Sequence, residues 1–533
     1  MDSIFDSGWQ FTTIPALAER AARIYRDDVA VQDGPVRLTF IELDAARRQA
    51  AKAVMAAGVG KGDRVMIWAP NTWKWFIAAL GVTSAGGVLI PTSTRFKGAE
   101  VEELMRRSGA TMMFSCGEFL GTYYPAQLGA EARKLLHTIV VMDGARETEM
   151  SWQDCMSAAA AVSDADLARR QASVGPDDLC DMLFTSGTTG YPKGVMYGHR
   201  QCLTAIDAWA TRVGIRRHDR VLVIPPFFHA FGYRSGAIVS LMRGAALLPH
   251  QAFDAEEILR RVEREKVSVI PGPPAIFHSM LQHPRLSAFD RSSLRLGITG
   301  GAVVPATLIR RMREDLGFAG VVNGYGLTEC GGYGTMCSAD DSDDQIANTA
   351  GKPFPGTEVR IMDGEGRLLP DGERGEVVLR GYIVMKGYFN DPDATAKTID
   401  AEGWLHSGDV GYFDENGDLR IEDRLKDMYI TGGFNCYPAE IERLMSAHPA
   451  IGQIAVIGVP DERLGEVGKA FVVLRPGRSA TADELVAWAR ANIANFKVPR
   501  SVEFREALPT SPQGKVLKTQ LKADHLRVRE NTG

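Results

Sequence analysis

Between about residues 180 and 330, short apolar runs alternate with amphipathic stretches that have helical periodicity. Each apolar run is bounded by Gly or Pro, which is typical of a buried strand. The runs are LCDMLF, RVLVIPPFF, GAALLP, VSVIPGPP, LRLGIT and GVVNGYG. Buried strands separated by helices predict a largely parallel sheet within an α/β fold. Several runs end in loops rich in Gly, Ser or Thr, where such sheets usually bind ligands.

The pattern changes after residue 350 to short strands and tight turns, as in GYFDENGDLRIEDR. This predicts an antiparallel β subdomain that follows the sheets. From residue 429 on, a helix in PAEIERLMSAH and strands in IGQIAVIGVP and KAFVVLRPG indicate a separate α+β unit. We therefore predict a large N-terminal domain of stacked α/β sheets plus a β subdomain, 1–423, and a small C-terminal domain, 429–533.

Composition narrows the function classes. The 533 residues include 61 basic and 66 acidic side chains, a net charge of -5 without long blocks of one sign, so no nucleic-acid partner is expected. The 7 cysteines form no CxxC pair, which indicates reduced thiols in a cytoplasmic protein. The start, MDSIFDSGWQ, lacks the features of a secretion signal.

The uncharged stretch from Trp75 to Thr94 is long enough to raise the question of a membrane span. Its centre, Thr83 to Gly87, is small, polar and rich in glycine, which favours a buried helix that turns into a strand. We expect no stable membrane insertion. The oligomeric state stays open, a homodimer included.

The motif with the most specific chemistry is LFTSGTTGYPKG, residues 183–194. A strand leads into glycines that let backbone N–H groups face an anion, and into hydroxyl side chains that add donors. Lys193 adds a positive charge. The spacing excludes a Walker A loop, since Lys193 is followed by Gly194 and not by the Ser or Thr that would bind Mg²⁺. A loop that holds phosphates is predicted, and a plain surface turn would not need this density of hydroxyls.

Together with motifs that follow in order along nearly the whole chain, this loop resembles the adenylate-forming superfamily of acyl-CoA synthetases, firefly luciferase and peptide-synthetase adenylation domains. The resemblance implies the fold of those enzymes, with ATP, Mg²⁺ and CoA as cofactor and cosubstrates. It also implies a hinge at 424–428 and a mobile C-terminal domain. In that family the loop holds the β- and γ-phosphates of ATP, and the matching residues are Thr185, Ser186, Gly187, Thr188, Thr189, Gly190 and Lys193.

NGYGLTE, residues 323–329, resembles the next family motif. By that resemblance Tyr325 lies against adenine, Thr328 faces the attacked phosphate and Glu329 holds Mg²⁺, a cation that prefers oxygen ligands. Upstream, GITGGAVVP has small residues that would let the backbone approach a purine. The nucleotide-binding residues expected from these two segments also include Asn323, Gly326, Gly300, Gly301 and Ala302.

Six further matches complete the expected site. In GWLHSGDVGYF, Asp409 matches the carboxylate that binds both ribose hydroxyls, and Arg424 matches a ribose contact at the domain boundary. In PPFFHAFG, His229 matches the residue that gates the acyl tunnel, although an isolated histidine there is more often packed in a core. The remaining matches are the hinge residue Lys426, the CoA-channel glycines Gly432 and Gly433, and Lys515, which stabilises charge on the α-phosphate.

The implied activity is that of an ATP-dependent carboxylic acid:CoA ligase, which forms acyl-AMP and then acyl-CoA. An enzyme that loads a carrier protein is an alternative, but no carrier module is evident in the sequence. A non-catalytic nucleotide-binding protein is disfavoured because Lys515, Glu329 and Asp409 are all present.

The acid is indicated by longer stretches, which resemble the bacterial ligases that activate the bicyclic indanedione propanoate left from sterol rings. Ala230 and Arg234 depart from that subfamily, in which Asn and Lys are expected. A medium- or long-chain fatty acid is the alternative, since an apolar tunnel past His229 would suit it. The matching stretches are IWAPNTWKW, PPFFHAFGYRSG, VIPGPPAIFHSMLQHP, DRLKDMYITGGFNCYPAEIE and ANFKVPRSV.

The first prediction concerns Lys515. Lys515→Ala should abolish acyl-AMP formation, because the charge that develops on the attacked phosphate loses its cation. Thioester formation from supplied acyl-AMP should stay largely intact. The two half-reactions are measured separately, by pyrophosphate release and by acyl-CoA formation. An equal loss of both would show that the lysine has another role.

Overall fold

Apolar strands and amphipathic helices alternate through most of the chain, and they assemble as the periodicity predicts. The computed structural model describes residues 12–186, 191–300, 304, 306–424, 428–509 and 516–530. Two compact units are present: residues 1–94, 101–184 and 194–423 form the larger unit, and residues 95–100, 185–193 and 424–533 form the smaller one.

The helices cover much of the chain and are mostly short. In chain order they are α1 Ile14–Tyr25, α2 Phe40–Ala56, α3 Trp73–Ser84, α4 Gly98–Ser108, α5 Ala130–Arg133, α6 Trp152–Ser157, α7 Asp164–Ala172, α8 His199–Val213, α9 Ala230–Gly232, α10 Val239–Arg243, α11 Ala255–Glu265, α12 Pro274–Leu281, α13 Ala306–Glu314, α14 Asp343–Asn348, α15 Pro392–Thr398, α16 Pro438–Met445, α17 Ala482–Asn492 and α18 Lys518–Glu530. A π-helical turn, Tyr233–Ile238, lies between α9 and α10.

The larger unit contains a nine-stranded sheet whose middle strands run parallel. In spatial order the strands are β18 Lys352–Pro353, β17 Thr335–Met336, β16 Gly320–Tyr325, β15 Leu296–Gly300, β14 Val269–Pro271, β12 Arg220–Val223, β13 Ala246–Pro249, β1 Val29–Asp33 and β2 Val36–Thr39. Five of the six apolar runs from the sequence lie in this sheet, which confirms the predicted α/β fold.

The sixth run, LCDMLF, belongs to a different sheet, so the expectation of one sheet was wrong for it. This seven-stranded sheet contains, in spatial order, β11 Pro192–Gly198, β10 Leu179–Ser186, β4 Val88–Pro91, β3 Arg64–Trp68, β5 Ala110–Ser115, β8 Thr138–Val141 and β9 Met150–Ser151. A local apolar run indicates burial but does not select its neighbours, because strand pairing is set by the whole fold.

Helix α3 explains the uncharged stretch from Trp75 to Thr94. The helix contacts β3 and β4 of the seven-stranded sheet and β1 of the nine-stranded sheet, so its surface is buried nearly all round. The chain then turns into β4, as the sequence predicted. Among the described residues, no helix combines the length and the apolar character needed to cross a membrane.

The remaining strands of the larger unit form an antiparallel sheet, as predicted, and a small hairpin. The sheet contains β20 Leu368–Leu369, β19 Thr357–Met362, β21 Gly375–Gly381, β22 Leu405–Phe413 and β23 Leu419–Arg424, and the hairpin contains β6 Glu118–Phe119 and β7 Thr122–Tyr123.

The smaller unit has its own sheet and its own apolar core. The strands are β25 Phe434–Cys436, β24 Tyr429–Thr431, β27 Gly465–Leu474 and β26 Ile451–Asp461, with β28 Ser501–Phe504 parallel to β27. Buried side chains of α16, α17 and these strands pack together, among them Tyr429, Met445 and Leu485.

Candidate active site

Tyr325 and Asp409 lie side by side in the larger unit, although they are far apart in sequence. Tyr325 is the last residue of β16, and its hydroxyl donates a hydrogen bond to Oδ2 of Asp409 in β22 at 2.7 Å. Burial and the negative charge of Asp409 raise the pKa of the Tyr325 phenol, so it stays a donor. The structure therefore brings together the residues that the sequence assigned to adenine and to ribose.

The segment after Tyr325 folds back on itself at very short range. A Cβ atom on Gly326 would lie 2.4 Å from the backbone of Gly332, and one on Gly334 would lie 2.9 Å from the carbonyl oxygen of Tyr325. Gly331 has φ +71°, a left-handed conformation that glycine adopts without strain. The glycines of NGYGLTECGGYG are thus required for two backbone segments to touch.

This fold-back presents Thr328 and Glu329 on a single 3₁₀ turn, Thr328–Cys330. Both side chains are half-buried. The carbonyl oxygen of Glu329 accepts a hydrogen bond from the backbone N–H of Met385 at 2.9 Å. Its carboxylate atom Oε1 accepts one from the Tyr388 hydroxyl at 2.7 Å. The backbone and the side chain of Glu329 are therefore both anchored by one segment, 385–388.

That segment is itself fixed to the edge of the seven-stranded sheet. The N–H of Met196 in β11 donates to the carbonyl of Gly387 at 3.1 Å, and the N–H of Lys386 donates back to Met196 at 3.0 Å. An antiparallel bridge joins Val195 to Tyr388. Tyr388 was not recognised from the sequence, because a lone tyrosine gives no sign of a partner 59 residues away.

His229 lies just before α9, after the carboxyl end of β12. Its Nδ1 atom accepts a hydrogen bond from the N–H of Phe231 at 3.2 Å, so the neutral imidazole carries its hydrogen on Nε2. The residue is exposed to solvent. Desolvation and the positive charge of Arg234 lower the pKa of His229, so the imidazole is neutral at pH 7.

Gly300 and Asn323 lie on β15 and β16, near the carboxyl ends of the strands. A Cβ atom on Gly300 would lie 2.7 Å from the carbonyl oxygen of Gly324 on the neighbouring strand, so only glycine fits. The Asn323 side chain is buried, and its Nδ2 donates to the carbonyls of Ile346 and Thr349 at 3.1 and 3.2 Å. The amide nitrogen of Asn323 therefore ties β16 to the end of α14.

The other predicted residues belong to the smaller unit or are not described. Thr185 and Ser186 end β10, and Lys193 lies in β11. Gly432 and Gly433 form the turn between β24 and β25, with φ +56° and +84°, and Arg424 ends β23. The predicted residues that lie outside the described part of the chain are Gly187, Thr188, Thr189, Gly190, Gly301, Ala302, Lys426 and Lys515.

A histidine and two carboxylates fix the strand that carries Asp409. Nδ1 of His406 lies 2.8 Å from Oε2 of Glu376, and Nε2 lies 3.3 Å from Oδ2 of Asp400. The other oxygen of Glu376 accepts a hydrogen bond from the N–H of Gly408 at 2.8 Å. Although partial burial opposes it, the two carboxylates raise the pKa of His406. This cluster was not predicted, since Glu376 and His406 meet only when β21 and β22 pair.

Comparison with known proteins agrees with this architecture. The family model described as AMP-binding enzyme matches residues 18–389, and the model of the AMP-binding enzyme C-terminal domain matches residues 440–515. The structure of the amide bond synthetase McbA from Marinactinospora thermotolerans is similar, with a TM-score of 0.82 and 28% identity over 95% of this chain and 99% of that one.

Two relatives carry the name 3-(7a-methyl-1,5-dioxo-octahydro-1H-inden-4-yl)propanoyl:CoA ligase. The protein from Mycobacterium tuberculosis is 46% identical over 96% of this chain and 98% of its own length. The protein from Rhodococcus jostii is 44% identical over 97% of this chain and 99% of its own length. The chain belongs to the AMP-binding enzyme family, as an AMP-forming acyl-CoA synthetase that uses ATP and CoA.

The second prediction concerns the pH dependence of stability through His406. A histidine whose pKa is raised on folding contributes stability that is fully present below its unfolded pKa and is lost as pH rises through the folded pKa. As pH rises above about 6.5, wild type should therefore lose more thermal stability than His406→Gln. Thermal unfolding at a series of pH values measures this difference. The exposed His137 provides the matched variant, His137→Gln, which should follow wild type; parallel curves for all three proteins would disprove the prediction.

Proposed function

We propose that the chain activates a propanoate carried on an oxygenated, methyl-substituted bicyclic ring system and transfers it to CoA. The observation that carries this proposal is the 46% and 44% identity to two ligases of that name over nearly the whole chain. Ala230, which follows His229, is the position where we expect the pocket to differ from theirs.

In the first half-reaction, adenosine would bind at the end of β16. The Tyr325 ring would lie against adenine, and Asp409 would accept hydrogen bonds from the ribose hydroxyls, with Arg424 as a further ribose contact. The hydrogen bond between Tyr325 and Asp409 supports this assignment, because it holds the two side chains 2.7 Å apart at the carboxyl edge of the sheet. Gly300, Gly301, Ala302, Asn323 and Gly326 would complete the purine site.

The phosphates would be held by the hydroxyls and N–H groups of the loop Thr185–Lys193 and by Thr328. Glu329 suits a magnesium ion, because its half-buried carboxylate is oriented at Oε1 by Tyr388 and presents oxygen, the ligand that Mg²⁺ prefers. A bound Mg²⁺ would neutralise phosphate charge. One oxygen of the acid carboxylate attacks the α-phosphorus, pyrophosphate leaves, and Lys515 stabilises the charge of the transition state.

The acyl group would enter past His229. A neutral imidazole with hydrogen on Nε2 can donate a hydrogen bond to a carboxylate oxygen without neutralising the nucleophile. In the second half-reaction, rotation at Lys426 would place Gly432 and Gly433 beside the CoA channel. The CoA sulfur attacks the acyl carbon, AMP leaves, and the thiol proton passes to solvent.

The third prediction tests the acid. With ATP, Mg²⁺ and CoA present, kcat/KM should be highest for the dioxo-octahydroindenyl propanoate among steroid-derived, aryl and fatty acids. We expect its kcat/KM to exceed that of the other acids by at least about 10-fold, because one apolar group that fits its pocket typically changes kcat/KM by about that factor. AMP and acyl-CoA are quantified together by mass spectrometry.

The outcomes of that assay separate the alternatives. If kcat/KM is higher for a fatty acid, the substrate class is fatty acids and not the bicyclic propanoate. The assignment as an acid:CoA ligase would still hold. Acyl-AMP formation without CoA-stimulated AMP release would instead indicate an enzyme that loads a carrier protein.

The fourth prediction tests the magnesium assignment through Tyr388. Tyr388→Phe removes the hydroxyl that orients the Glu329 carboxylate, and loss of such an orienting partner typically costs 10- to 100-fold in metal affinity or activity. We expect about a 10-fold higher Mg²⁺ requirement for ATP–pyrophosphate exchange. Titration of the exchange rate with Mg²⁺ measures it.

Tyr382→Phe is the matched control. It also removes a tyrosine hydroxyl that donates a hydrogen bond, in this case to the carbonyl of Pro355 at 2.9 Å. Its Mg²⁺ requirement should equal that of wild type. If the Mg²⁺ requirement of Tyr388→Phe also equals that of wild type, the hydroxyl of Tyr388 does not orient Glu329 for metal binding.

A further inference from the structure

A buried ion pair lies close to the turn that carries Glu329. Arg234 and Asp181 are both completely buried in the larger unit, and Nε of Arg234 donates to Oδ2 of Asp181 at 3.3 Å while Nη2 donates to Oδ1. The free energy needed to remove two charges from water cancels much of the free energy gained from their attraction. A pair of apolar residues of similar size would therefore stabilise the fold about equally. The pair therefore calls for a role other than stability.

Arg234 supports a tyrosine that reaches the backbone of Glu329. The guanidinium carbon lies 4.0 Å from the centre of the Tyr197 ring, at a distance typical of a cation–π contact. The Tyr197 hydroxyl donates to the carbonyl oxygen of Ile383 at 2.5 Å and lies 3.2 Å from the carbonyl oxygen of Glu329. Tyr197 thus joins the Glu329 turn to the segment that also contains Tyr388.

Arg234 also lies directly beneath the end of the Glu329 turn. A Cβ atom on Gly331 would lie 3.0 Å from Nη1 of Arg234 and 3.1 Å from the Tyr197 hydroxyl. Nη1 has no hydrogen-bond partner among the residues that the structure describes. One residue further on, the Ser235 hydroxyl bonds to that of Tyr333 at 3.0 Å. Gly331 and Tyr333 are therefore both packed on the segment that contains Arg234.

The same segment leads to His229. Arg234 and Ser235 lie in the π-helical turn Tyr233–Ile238, which starts four residues after His229. π-Helical turns are rare and often occur at functional sites. Gly232, between them, packs on the backbone of Pro226, where an added Cβ would lie within 2.2 Å of the carbonyl oxygen. The spacing from His229 to Arg234 is thus tightly fixed.

A cation site is a poorer explanation for this cluster. The sulfur atoms of Cys180 and Cys202 lie within 4.8 Å of each other and of an Asp181 oxygen, a grouping that could hold a metal ion. The Asp181 carboxylate, however, already has a full positive charge beside it in Arg234. Burial also raises the pKa of the Cys180 thiol, which opposes the thiolate that a metal would require.

We propose that Arg234, neutralised by Asp181, is a positioning residue that sets the distance between His229 and the Thr328–Gly331 turn. It acts through Tyr197 and Gly331 and does not touch the substrates. This inference rests on the proposed function, in which His229 faces the acid and Glu329 faces the metal–ATP complex. Its chemical consequence is that the carboxylate of the acid and the phosphate that it attacks are held at one separation.

The fifth prediction uses the double variant Asp181→Leu with Arg234→Met, which removes both charges and leaves neither unpaired. We expect it to fold with a Tm close to wild type, because the apolar replacements fill similar volumes. The kcat for acyl-AMP formation should fall about 10-fold, as for loss of other orienting partners, with KM for the acid nearly unchanged. Hydrogen–deuterium exchange should become faster in residues 326–334.

The pH profile gives a readout that a purely structural role would not move. Arg234 contributes to the low pKa of His229, so removing its charge should raise that pKa and shift the acid limb of kcat/KM to higher pH. The matched control is Asp219→Leu with Arg295→Met, an ion pair at the amino ends of β12 and β15. That variant should keep the wild-type kcat, profile and exchange in residues 326–334.

Tyr197→Phe tests the same idea if the double variant does not fold. It keeps the ring under Arg234 and removes only the hydroxyl, so the kcat for acyl-AMP formation should fall and exchange in residues 326–334 should rise. Wild-type kcat, pH profile and exchange in a folded double variant would overturn the positioning role, and so would wild-type kcat and exchange in Tyr197→Phe. Absence of acyl-AMP formation by wild type with every acid would overturn the proposed function instead, and the exchange measurement would still test the positioning.

Discussion

The candidate site depends on a backbone contact that leaves no room for side chains. Gly326 lies so close to Gly332 that a single Cβ would come within 2.4 Å, and Gly331 requires a left-handed conformation. Because the chain can fold back this tightly, Thr328 and Glu329 occupy one short turn beyond the end of β16. Tyr388 and Tyr197 contact that turn, and Arg234 packs against its end at Gly331.

The sequence predicted the parts of the fold that are specified locally. Apolar runs bounded by Gly and Pro gave five strands of the nine-stranded sheet, and the small polar centre of the Trp75–Thr94 stretch correctly indicated α3 turning into β4. Gly300 was expected to let the backbone approach a purine, which stays a prediction; in the structure this glycine lies close to the neighbouring strand β16. Tyr325 ends β16 and Asp409 lies in the middle of β22, and the fold of the family determines where both strands lie. The two motif residues therefore lie side by side.

What the sequence did not predict is the pairing of distant polar residues. LCDMLF was assigned to the wrong sheet, since its hydrophobicity indicates burial without naming a neighbour. Tyr388 and Glu329 are separated by 59 residues, and Arg234 and Asp181 by 53. One signal was available: an aspartate inside an otherwise apolar strand must be neutralised, and Arg234 was already conspicuous as a departure from the resembling subfamily.

The way in which the carboxylates are held distinguishes their uses. Asp181 forms an ion pair with the guanidinium of Arg234, which offsets its charge in the buried interior. Glu329 accepts a hydrogen bond from the Tyr388 hydroxyl, and that donor fixes an oxygen in place without carrying a charge of its own. Such a donor leaves the negative charge of the carboxylate in place, whereas the guanidinium of Arg234 offsets the charge of Asp181. The partner side chain therefore decides whether a carboxylate within this unit keeps its charge.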